Sequence, residues 1–207
     1  LAWMGDFDGY LPMEPGILDL CESNIMTLAE AGANVENIMP VIDLPDLWFS
    51  WTTLRHNSRE GMLDFYNNPT TNSLLKPEVV WEIEQYLSLS ENDVARANMI
   101  RGNWYRELDD LFTSHDFLVL PTSQVFPYSK ETPWPTEING RAMDTYHRWM
   151  EVTLYASLGG LPTVNVPVGF DNQGRPMGMQ IIAKRELTLL LNPTIVVLLL
   201  ITNERKI

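Results

Sequence analysis

The chain has 207 residues, 45% of them hydrophobic and 20% charged, with a formal net charge of −13 and a sequence pI near 4.5. That acidity excludes a nucleic-acid partner, which needs a basic surface, and equally excludes attraction to anionic membranes. The length suits one core-forming domain or a large part of one, and the expected setting is cytoplasmic. Cys21 is the only cysteine, so no internal disulfide can form. The three histidines, His56, His115 and His147, lack metal-ligand spacing, so neither a metal nor a cofactor is expected. Leu1 to Asp8 carries acid rather than base, unlike a secretory signal.

Taken in chain order, Leu1–Phe7 reads as a short strand. Glu14-Pro15-Gly16 opens a helix to about Ala31, stopped by Gly32. Cys21 lies among its apolar positions and reads as a buried thiol. Asn34–Met39 reads as the next strand, giving a β–α–β opening. Asp43 to Tyr66 is Trp-rich and helical, ending at Asn67-Asn68-Pro69. Pro77–Leu87 predicts a helix with Val79, Val80, Ile83 and Leu87 on one face. Ser90, with Asp93 three residues on, caps a long helix to about Ser114. Its apolar side carries Ala97, Ile100, Trp104, Leu108 and Leu111, and the helical spacing of Trp48, Trp51, Trp81 and Trp104 favours core packing over a stacking surface. His115-Asp116 breaks this helix, and Phe117–Leu120 is a buried strand. A Pro-rich loop runs from Pro121 to Pro135, and Gly140–Leu158 is expected to be the last clear helix. Gly159-Gly160 stops it. Thr163–Val168 and Gly178–Ala183 then read as two buried strands joined by the turn Asp171-Asn172-Gln173-Gly174. Helices alternating with short buried strands give an α/β architecture.

The densest pattern is ASLGGLPTVNVPVGFDNQGRPMGMQIIA, Ala156 to Ala183. Gly160, Pro162, Val166, Pro167 and Gly169, followed by Gly174, Pro176, Gly178, Gln180 and Ile182, resemble the C-terminal signature of the amidase signature family. Leu1–Pro15, Asp116–Pro127 and Trp134–Met150 resemble further parts of the second half of such enzymes. The resemblance covers about residues 1–184 and implies a mixed β-sheet covered by helices, only part of which this chain supplies. It also implies cleavage of a C–N amide bond through a seryl acyl-enzyme, by a Ser–cis-Ser–Lys triad that needs no cofactor.

That triad lies upstream of the matched region in the family. A serine needs a base to take its proton, and the oxyanion needs several aligned donors, which the family draws from a Gly/Ser-rich run. This sequence shows no such run. Ser157 sits at a helix end, and Ser129-Lys130 lies in an exposed Pro-rich loop, so no catalytic residue is assigned and the chain is expected to be silent alone. Loops after core strands commonly hold ligands in α/β folds. The candidate substrate-binding residues are therefore Thr122, Ser123, Gln124 and Phe126, with Trp149 and Leu154 on the following helix as second-rank candidates; the resemblance implies that this loop shapes the acyl or leaving-group pocket. The expected partners are a small amide substrate and either an N-terminal half or a second copy, because a partial sheet exposes apolar edges. The alternative is a non-catalytic assembly or binding module. Residues 185–207 leave the pattern: Leu187–Ile201 is apolar but broken by Asn192-Pro193 and too short to span a bilayer. This tail reads either as a variant element packed on the core or as out-of-frame sequence, and the abrupt change in composition favours the second.

Overall fold

The computed structural model describes residues 1–185; the two readings of the tail lie outside them. The chain divides into two compact units, one formed by Leu1–Met39 with the chain from Asp109 onward, the other by Pro40–Leu108.

The first unit is built on a five-stranded mixed sheet. β1 (Ala2–Trp3) pairs in parallel with β2 (Glu36–Asn37) and with β3 (Phe117–Pro121). β7 (Pro176–Ala183) runs antiparallel between β3 and β6 (Thr163–Phe170), so the order is β2-β1-β3-β7-β6. Leu118, Val119 and Leu120 of β3 are all buried, as an apolar run in a central strand must be. α1 (Ile17–Glu30) packs on β3, β6 and β7 through Ile17, Cys21 and Ile25. The β6–β7 turn forms as expected: the Asp171 carboxylate accepts from the Gln173 and Arg175 amides at 2.9 and 2.8 Å, and Gly174 takes φ 75°.

Two elements differ from the sequence expectation. β1 stops at Trp3 because Gly5, Phe7, Asp8 and Gly9 all take positive φ, which turns the chain out of the ladder; β2 is likewise only two residues long. Gly140–Leu158 is not one helix. Asn139 and Gly140, at φ 48° and 79°, form a two-residue turn between β4 (Glu137–Ile138) and β5 (Arg141–Ala142). A 3₁₀ turn (Arg148–Thr153), interrupted at Met150, then leads into the short α7 (Leu154–Gly159), which ends at the left-handed Gly160.

The second unit is helical. The expected Asp43–Tyr66 helix divides into α2 (Leu44–Asn57), a 3₁₀ turn (Ser58–Met62) and α3 (Leu63–Asn67), followed by α4 (Pro69–Asn72). α5 (Pro77–Ser88) packs on α2 through Ile83, whereas Leu87 is exposed. Glu82 is buried and neutralised by Arg55 and Arg59. α6 (Glu91–Ser114) begins on a capping box: the Asp93 amide donates to the Ser90 hydroxyl, and the Ser90 amide donates back to the Asp93 carboxylate. Trp104 is buried on α6, while Trp48, Trp51 and Trp81 are half-buried.

Candidate functional site

A cleft of about 490 Å³ opens beside the loop that leaves β3, entirely within the first unit. Thr122 starts that loop with its amide donating to the Gly178 carbonyl at 3.0 Å, and its hydroxyl donates to Asn165 Oδ1 on β6. Gly178 is required here by close approach: a Cβ would meet Asn165 Oδ1 at 2.7 Å, the Val166 carbonyl at 2.9 Å and Thr122 Oγ1 at 3.0 Å. Ser123 closes a local turn, its hydroxyl donating to the Val125 carbonyl at 2.8 Å and accepting from the Val125 amide at 3.2 Å.

The loop is braced from inside. Gln124 is fully buried. Its side-chain amide donates to the Pro12 carbonyl at 3.1 Å, its Oε1 accepts from the Val152 amide at 3.0 Å, and its own carbonyl accepts from the Glu14 amide at 2.8 Å. Glu14 also accepts from the Phe126 amide at 2.8 Å and pairs with Arg175 at 2.9 Å; the Arg175 guanidinium lies 4.7 Å over the Phe126 ring. Of the expected residues, Thr122, Ser123, Phe126 and Trp149 line the cleft together. Gln124 instead holds three segments in place, and Leu154 is buried away from the cleft.

The sequence reading missed Tyr128, Asn165 and Met177, which also line the cleft. Asn165 had a signal, a lone amide in the β-branched run Thr163–Val168. Tyr128 is exposed but meets Trp149 edge-on at 5.7 Å, and partial desolvation together with the nearby Tyr146 raises its phenol above the usual range. Among the described residues no charged side chain lines the cleft.

The model of the amidase family matches residues 4–187 of this sequence. The chain belongs to the amidase family. It is 27% identical over 190 residues to an acylamidase of Rhodococcus erythropolis, covering 89% of this chain and 38% of that protein. It is 30% identical over 99 residues to a fatty acid amide hydrolase of Medicago truncatula, covering 48% and 16%. A solved bacterial aryl acylamidase of the amidase signature family superposes with a TM-score of 0.76 at 21% identity, over 91% of this chain and 40% of that one. The A subunit of the Thermotoga maritima glutamyl-tRNA(Gln) amidotransferase gives 0.65 at 23%, over 90% and 39%. The α/β fold with its mixed sheet is thus the amidase fold in part, and this amidase chain spans about 40% of the structures it matches.

In this amidase chain the serines considered as nucleophiles serve the backbone. Ser157 donates to the Thr153 and Leu154 carbonyls, both at 3.0 Å, and Ser129 accepts from the Glu131 amide at 3.2 Å. Cys21 is fully buried and burial pushes its thiol up to about 12, which keeps it protonated and unreactive. Among the described residues no cluster of His, Cys, Asp and Glu could hold a metal ion, and no helix is long and apolar enough to cross a membrane.

Proposed function

We propose that this chain is the C-terminal portion of an amide hydrolase, in which it supplies the wall of the substrate pocket. The Ser–cis-Ser–Lys centre that forms and releases the seryl acyl-enzyme belongs, on this reading, to the portion of the fold that the chain does not span. The observation that carries the proposal is the cleft at Thr122–Phe126: a ligand-sized recess, fixed by buried hydrogen bonds, in a chain whose family cleaves amides. The engagement of Ser157 and Ser129 with backbone groups supports the assignment of nucleophile and base elsewhere. No cofactor is invoked, and the acidic composition supports a cytoplasmic setting.

The test is amine release from acetanilide by the chain alone. No release above buffer is expected. Release that disappears on Ser123→Ala or Ser157→Ala would place the nucleophile in this chain and overturn the assignment.

A further inference from the structure

We propose that the cleft selects a neutral aryl amide, with the flat ring held against aromatic side chains and a ligand oxygen facing Asn165; this deepens the hydrolase reading above and rests on it. The wall is formed by Phe126, Tyr128, Trp149 and Met177, with Pro167 and Pro176 beside them. Phe126 is buried and held rigid by the Arg175 guanidinium over one face, at 4.7 Å from the ring centre. Trp149 is fixed by its packing on the small cluster of Val125, Ile138 and Met143, and by Tyr128 edge-on at 5.7 Å. Rigid rings in such a wall suit a planar apolar group, since offset or edge-on ring pairs add to simple burial.

The polar groups set the other half of the selection. Thr122, Ser123 and Asn165 are the hydrogen-bonding side chains of the cleft besides Tyr128 and the Trp149 indole N–H, a buried donor left without a partner among the described residues. Ser123 is committed to the Val125 backbone, and the Thr122 hydroxyl donates to Asn165 Oδ1. That last bond fixes the Asn165 amide so that its Nδ2 is left as a donor on the exposed rim of β6. A donor of this kind recognises a carbonyl oxygen. With no charged side chain lining the cleft, an ammonium or carboxylate on the ligand would lose its hydration without gaining an ion partner. The cleft therefore discriminates against amino-acid amides and against half-amides of diacids.

The test is binding to the chain itself, followed without turnover. Three probes are compared: acetanilide, glycinamide and succinamate. The Trp149 indole resonance, identified by its loss in Trp149→Phe, reports on occupancy of the cleft. Acetanilide is expected to shift that resonance and to bind at least tenfold more tightly than either charged probe. Asn165→Asp keeps an acceptor for the Thr122 hydroxyl but removes the donor, so acetanilide should weaken about fivefold, the size of one neutral hydrogen bond, while glycinamide gains. Equal binding of a charged probe, no binding of acetanilide, or an unchanged preference in Asn165→Asp overturns the proposal. Because turnover is not involved, a reconstituted enzyme that binds acetanilide yet hydrolyses no amide would count against the hydrolase reading and leave the ligand class standing.

Discussion

Single residues in this chain carry unequal weight, and the difference follows from what surrounds them. Gln124 was expected on the cleft surface and is instead a buried brace. Gln124→Met conserves its bulk but leaves the Val152 amide without its acceptor. We expect a loss of about 2 kcal/mol in urea unfolding, the cost of an orphaned buried donor. Two glycines make a second comparison. Gly178→Ala forces a Cβ to within 2.7 Å of Asn165 Oδ1 and should destabilise by about 1–3 kcal/mol through overpacking. Gly102→Ala meets nothing within 4 Å on α6, and should stabilise by roughly 0.5–1 kcal/mol through helix propensity. The same unfolding experiment reads both. Loop residues of this kind are hard to place from sequence. Thr122, Ser123 and Gln124 look alike as polar residues after a strand, and only the positions of Pro12 and Val152 decide that the third turns inward.

Legibility at the level of elements depended on whether local signals agreed. The Ser90–Asp93 cap and the Asp171–Gly174 turn are written within a few residues, and both form as expected. Asn139-Gly140 was equally local, being a strong two-residue hairpin signal. The helix expected over Gly140–Leu158 overrides that signal, and tertiary packing resolves the stretch into a 3₁₀ turn and the short α7. The strand lengths at the start failed for another reason: Phe7 is left-handed, a conformation that a bulky residue ordinarily avoids, although Asp8 beside it tolerates that region more readily. The 3₁₀ turn also carries a pH signature. Arg148 bridges Asp144 and the buried Glu151, which further accepts from the Tyr10 hydroxyl at 2.9 Å. Burial raises the Glu151 carboxyl despite Arg148, while hydrogen bonds from Arg148 lower that of Asp144. The folded state thus holds the Glu151 proton more tightly than the unfolded chain. Its contribution is complete below the ordinary glutamate value of about 4.3 and declines as pH rises through the raised folded value. Asp144 acts oppositely, losing its contribution as pH falls through its lowered value. Glu151→Gln should therefore remove the decline on the high-pH side and keep the acid loss, as read from urea midpoints across this range. An unchanged slope in the variant would contradict this account.

For the whole molecule, the outstanding feature is that the amidase pattern was legible while the activity was not. The glycines and prolines of the β6–β7 hairpin are dictated by backbone geometry, as at Gly174 and Gly178, so they announce the fold. Catalytic chemistry needs groups from several segments, and this chain spans about 40% of the structures it resembles. β6 is an eight-residue strand at one margin of the sheet, with Phe170 exposed, and such an edge favours pairing with another strand. The alternative role as an assembly module draws on the same edge, and would appear as a stable dimer in light scattering that Phe170→Lys disrupts.

Reconstitution decides whether this chain completes an amide hydrolase. The chain is mixed with the N-terminal portion of an amidase that carries the Ser–cis-Ser–Lys centre, and acetanilide hydrolysis is measured against each component alone. Hydrolysis is expected only in the mixture, and should be lost when the added nucleophilic serine is replaced by alanine. Hydrolysis by this chain alone, or a soluble, stable complex with no activity on any amide, would contradict the proposed function.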